Sequence, residues 1–148
     1  MPTERKDLAP AVERWVSANK ETVRKQFGDC LLLEYKVLRG RSLPIKGVRP
    51  SQRKLMPKAE GAGLLISLPD VGDGFRIPAP CDAVFTANAK SFLVIWPYVP
   101  NQRKQDRAVH FVRIGDWLEM ERRAEVEGRK SVPLAWIVDK SKTTNVWV

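Results

Sequence analysis

The sequence predicts an α/β protein, a mixed β-sheet flanked by helices, built as one domain over residues 1–148. Three observations carry this expectation. A helical stripe near the N-terminus gives way directly to a strand-like run, a second helical stretch follows, and further apolar runs then alternate with charged amphipathic segments. A chain of 148 residues can bury a core without staples. With 43% apolar and 29% charged residues, the composition is that of a soluble globular protein.

The first element is a helix over residues 8–27, because Val12, Val16, Val23 and Phe27 fall on one stripe at about 100° per residue, with Trp15 at its edge. Gly28 and Asp29 end it. The run CLLLEYKVL is a strand, and Gly40 to Gly47 make a loop in which Pro44 forbids regular continuation. A short helix runs from Pro50 to about Met56, limited by Pro57. Next come a strand, GLLISLP, a turn at PDVGDG, and a hairpin with arms CDAVFT and SFLVIWPYV. NQRKQDR connects to the strand AVHFVRI, followed by the helix DWLEMERRAEVEG with exposed charges. Ser131 is a suitable N-cap for a last helix in SVPLAWIVDK, and the apolar tail TTNVWV is expected to pack.

Several function classes are disfavoured at once. No apolar run is long enough to cross a bilayer, and MPTERKDLAP is no signal peptide, so an intracellular protein is expected. Cys30 and Cys81 lie in apolar stretches without a CxxC, and read as reduced core residues. The single His110, between Val109 and Phe111, excludes a multi-histidine metal site and reads as structural. Trp96, Trp117, Trp136 and Trp147 read as core or interface residues before stacking platforms.

Charge is more informative. Twenty-six Lys and Arg against seventeen acids leave +9, which favours polyanionic partners. From Lys36 to Lys58 there are eight basic residues and no acid. Such a run is either a solvated face or a phosphate-backbone surface, and the absence of acids favours the second. Its members beyond the first are Arg39, Arg41, Lys46, Arg49, Arg53, Lys54 and Lys58. Arg129 and Lys130, ahead of Ser131, are either solvated or placed to bind a phosphate at a helix start.

Strand alternation puts Glu34 and Lys36 on one face with Leu32, and Leu31, Leu33 and Tyr35 on the other. A carboxylate can hold Mg²⁺ and a neighbouring ammonium can polarise an attacked phosphate. Gln52 shares a stripe with Val48, Leu55, Met56 and Ala59, so its amide either faces inward or touches water at the stripe's edge. Asp82, in RIPAPCDAVF, is either a buried carboxylate requiring a cation or a strand-start residue bonding nearby amides.

The stretch LLLEYKVLRGRSLPIKGVRPSQRKLMPKAEGAGLLI resembles the core of the PD-(D/E)XK nuclease superfamily, closest to small Holliday-junction resolvases and their phage-encoded relatives. APCDAVF, SFLVIWPY and GRKSVP are similar to later pieces of such proteins, so the resemblance spans residues 10–138. It implies a restriction-endonuclease-like sheet and a Mg²⁺-dependent endonuclease, with Mn²⁺ substituting, acting on branched double-stranded DNA as a homodimer without a small-molecule cofactor. Glu34 becomes a metal ligand, Lys36 the catalytic lysine and Gln52 the helix amide; Glu13 occupies the place of a helix glutamate, or is a plain exposed charge. The family's aspartate precedes E-x-K by a strand and a turn. Asp29 is too close for that, so either Asp29 serves in an unusual geometry or Asp82 supplies the second ligand, and Asp82 is favoured. The dimer surfaces expected are SFLVIWPYV and the VWV tail. The rivals are another nuclease of the same superfamily and a non-catalytic nucleic-acid-binding module.

Overall fold

The computed structural model describes residues 2–67 and 83–148. Asp82 and Cys81, with the expected PDVGDG turn, lie outside the described residues.

The N-terminal stripe folds as expected in its burial and differently in its backbone. A π-turn at Glu4–Leu8 leads into α1 (Ala9–Ala18), and a break at Asn19 separates it from α2 (Lys20–Gln26). Asn19 leaves helical geometry at φ −127° and its side-chain amide donates to the Trp15 carbonyl at 2.8 Å. A short polar side chain that bonds the preceding turn competes with the helix ladder. The stripe survives the break: Val12, Val23 and Phe27 are buried, with Val16 and Trp15 packed at the margin.

Strand β1 (Leu31–Leu38) matches its expected span. The expected loop after it holds a short strand, β2 (Ser42–Pro44), and a 3₁₀ turn at Ile45–Gly47. Helix α3 (Pro50–Gly61) runs through Pro57 instead of stopping there, held by the burial of Met56 and Ala59 on either side. Next come β3 (Leu64–Ser67), β4 (Ala83–Thr86), β5 (Lys90–Pro97) and β6 (Val109–Arg113). They are followed by α4 (Ile114–Val126), β7 (Ser131–Pro133), α5 (Leu134–Lys140) and β8 (Lys142–Thr144).

The main sheet is mixed, in the order β1-β5-β6-β8, with β1 and β5 parallel and the other pairs antiparallel. Two expectations change, one of a hairpin and one of a helix cap. β4 pairs with β3 and not with β5, and Ser131 lies in β7, paired with β2, so it does not cap α5. A strand that is apolar on both faces belongs at the centre of a covered sheet. β5 is such a strand. Leu93 and Ile95 enter a core with Val48, Met56, Trp117, Val132 and Ile137, while Phe92, Val94 and Trp96 enter a second core with Leu8, Val12, Phe27 and Phe111.

Helices α3, α4 and α5 therefore cover one face of the sheet, and α1 and α2 the other. The SFLVIWPYV run is core and cannot be the dimer surface expected of it, because six of its residues from Ser91 to Trp96 are buried. The tail also packs on its own chain: Val146 is buried, and Trp147 lies against Trp96 with ring centroids 4.7 Å apart. Among the described residues, no helix is long and apolar enough to cross a membrane.

Candidate active site and basic segment

Glu34 and Lys36 lie on the edge strand β1, opposite Leu93 and Ile95 of β5 in the parallel register. Their neighbours on the same face, Leu32 and Leu38, pack into the core under α3 and α4. Leu31, Leu33, Tyr35 and Val37 pack into the other core. The strand thus anchors itself through both faces and leaves the charged pair at the margin of one of them. Lys36 Nζ stands 3.3 Å from Glu34 Oε1, with 14% of the Lys36 side chain exposed and 31% of Glu34. A polar pair at this depth retains contact with water and is less screened than a surface pair. At the outer edge of β1, the Val37 N–H donates to the Glu4 carboxylate at 3.1 Å.

The remaining candidates separate. Glu13 is exposed on α1, and its charge, after burial, helps to push the Tyr35 hydroxyl up to about 12. Since Tyr35 points away from the Glu34 face, Glu13 belongs to the opposite side of the sheet, and the structure does not bring it to the pair. Asp29 is exposed and takes the Arg24 guanidinium at 3.0 Å. Gln52 is half-buried, and its Oε1 accepts the Arg49 N–H at 3.0 Å, so its carbonyl caps its own helix. Among the described residues no three His, Cys, Asp or Glu side chains gather where they could hold a metal.

The basic segment divides by exposure. Arg39, Arg41, Lys46, Arg49, Lys54 and Lys58 are exposed. None of these six is paired with a carboxylate among the described residues. Arg39 also donates to the Pro2 carbonyl at 2.8 Å. Arg53 departs from the expectation. Its guanidinium donates to the Val48 and Ile45 carbonyls at 3.2 and 2.7 Å and pairs with Glu121 at 3.0 Å, so it is a structural link and leaves the phosphate-binding set. Arg129 and Lys130 do not precede a helix start. Arg129 pairs with Glu127 and faces the Trp136 ring, while the Lys130 carbonyl accepts the Ile45 N–H.

Sequence reasoning missed two carboxylate clusters, one buried and one half-buried. Glu121, 5% exposed, accepts from Trp117 Nε1 at 2.6 Å and from Arg53. Burial pushes its carboxyl up, against the opposing pull of the Trp117 hydrogen bond and Arg53. Its place four residues after Trp117 and one after Met120, on the buried stripe of α4, is the signal that could have found it. Glu60, at the end of α3, accepts from the Ser91 N–H at 2.8 Å and from Arg113 at 3.0 Å, tying α3 to β5 and β6. Cys30 is a free thiol and half-buried, not fully interior as expected. His110 is buried, with Nδ1 2.8 Å from Thr143 Oγ1.

Comparison of the chain with protein families, curated proteins and solved structures gives no match.

Proposed function

We propose that this protein is a divalent-metal-dependent DNA endonuclease that nicks four-way junctions, with Glu34 and Lys36 at its reacting centre. The observation that carries the proposal is the ion pair itself: a carboxylate and an ammonium two residues apart, held half-buried on one face of an anchored edge strand. The segment that follows it presents six exposed cations suited to a phosphate backbone.

Mg²⁺ is commonly held through one or two carboxylates while keeping several waters. Glu34, with about a third of its side chain exposed, fits as one ligand, and Asp82 is the proposed second. When bound, the ion supplies Lewis-acid polarisation of the phosphate and a more acidic water. The chain's own contribution is positional and electrostatic. Lys36 donates to a non-bridging phosphate oxygen as negative charge builds there, and Glu34 keeps the ammonium in place before substrate arrives. In-line attack by water on phosphorus forms a new P–O bond as the bond to the 3′ oxygen breaks. The products are a 5′-phosphate and a 3′-hydroxyl. Symmetric nicks on two strands call for a two-fold dimer.

Labelled four-way junctions and linear duplex of the same sequence, incubated with Mg²⁺ or with EDTA, test the substrate. Paired nicks on the junction, abolished by EDTA, are expected. Equal cleavage of linear duplex would replace the junction preference with a general nuclease, and a monomer by sedimentation at micromolar concentration would remove the dimer.

A further inference from the structure

On the face of the sheet opposite Glu34 and Lys36, a cavity of about 490 Å³ lies between the N-terminal turn, α1, the end of β5 and the C-terminal tail. Lys6, Arg14, Lys104 and Arg107 line it, and Trp96 and Trp147 form its aromatic wall. Cavities of this size accept ligands as large as a mononucleotide. One carboxylate, Asp7, also lines the cavity, and its Oδ2 accepts the Thr3 N–H at 2.7 Å, so the four cations outnumber it.

The aromatic wall is held rigidly. Trp96 and Trp147 lie 4.7 Å apart between centroids, and Tyr98 meets Trp96 edge-on at 5.6 Å. The tail that carries Trp147 is pinned where Asn145 donates to the Lys104 carbonyl at 2.8 Å and accepts the Trp147 N–H at 2.9 Å. Arg107 stands 5.5 Å from the Trp96 ring centroid and 5.2 Å from that of Trp147, which places a guanidinium beside both π-faces. Trp96 itself is 3% exposed, and its indole N–H is buried with no acceptor among the described residues. An unmade hydrogen bond of this kind is costly in a folded protein, and Trp96 serves the cavity as the buried support of the more open Trp147 ring.

We propose that this cavity is a nucleotide-binding pocket, taking a base against the half-buried Trp147 ring, which Trp96 backs, and the attached phosphate among Lys6, Arg14, Lys104 and Arg107. Base–aromatic stacking beside a cationic lining is the chemistry by which unpaired nucleotides are held without sequence reading. The pocket stands on the opposite face from the ion pair and requires no metal or strand cleavage. It can therefore hold where the nuclease proposal fails. A free nucleotide and an unpaired nucleotide within a strand present the same chemistry.

The test follows the tryptophan indole N–H resonances of the full chain during titration with thymidine 5′-monophosphate in EDTA, the Trp96 signal being assigned with Trp96→Phe. Thymidine, inorganic phosphate and O-phosphotyrosine serve as comparisons. The expected result is a saturable shift of the Trp96 resonance by the nucleotide, with each comparison compound and the Arg107→Ala variant weaker by about tenfold or more. Lys104→Ala, at an exposed position, is expected to weaken binding in the same direction without changing the melting temperature. A 5′-phosphorylated oligothymidylate that binds more tightly than the mononucleotide identifies a strand as the source, and the reverse order identifies the free nucleotide. Either order supports the pocket. No shift, equal binding of phosphate or O-phosphotyrosine, or unchanged affinity in both variants would overturn it.

Discussion

Arg53 and Glu121 join α3 to α4 through an ion pair whose acidic end has 6% of its side chain exposed and whose basic end has 30%. Removing the arginine leaves a buried carboxylate with the Trp117 N–H alone. Arg53→Ala is expected to lower stability by about 2 kcal/mol, discounted for the exposed guanidinium, and adding Glu121→Gln should restore part of the loss. Urea unfolding of the single and double variants measures both. His110 gives a pH dependence of known sign. Burial lowers its pKa from 6.5, so below that value the unfolded chain takes up a proton that the folded chain resists. Stability should be complete above pH 6.5 and decline as pH falls through it, and His110→Gln should flatten that slope in urea midpoints taken on either side. The reach of the sequence differed between these residues. His110 was legible because its neighbours on the strand are apolar, whereas Arg53 was grouped with its basic neighbours because composition cannot tell a solvated guanidinium from one turned inward.

At the scale of elements, the pairing of β3 with β4 depends on one glycine. Gly63 has φ +76°, and a Cβ there would meet the Thr86 carbonyl oxygen at 2.3 Å. Gly63→Ala must strain the backbone and push the two strands apart, so a loss of about 2 kcal/mol is expected in thermal or urea unfolding. The strand β1 was readable from CLLLEYKVL because its leucines and charges alternate between faces that the structure fills differently. The pairing of β4 was not readable, since strand partners depend on contacts distant in sequence. The composition of β5 did contain the answer: FLVIW has no polar face, which places it between two neighbours and under helices on both sides. The break at Asn19 went unseen because the apolar stripe continues across it.

Across the whole molecule, the sheet separates two chemistries. One face carries the Glu34–Lys36 pair and the helix α3 with its exposed Lys54 and Lys58, while the other carries the aromatic cavity lined by cations. The net charge of +9 makes the approach of a polyanion to either face electrostatically favourable. The candidate pair was legible from its two-residue spacing. Its isolation from Glu13 was not, because which face of the sheet α1 covers is decided by packing, as was the use of the Gln52 carbonyl as a helix cap.

In the proposed function the pair cuts while the basic segment binds. Junction binding and junction cleavage measured side by side in Mg²⁺, for wild type, Lys36→Ala and Lys54→Ala/Lys58→Ala, separate the two roles. Lys36→Ala should lose cleavage by about a hundredfold or more with binding retained. The double variant should weaken binding and lessen its dependence on salt. Tight junction binding by wild type with no cleavage in Mg²⁺ or Mn²⁺, or cleavage undiminished in Lys36→Ala, would rule out Glu34 and Lys36 as the reacting centre.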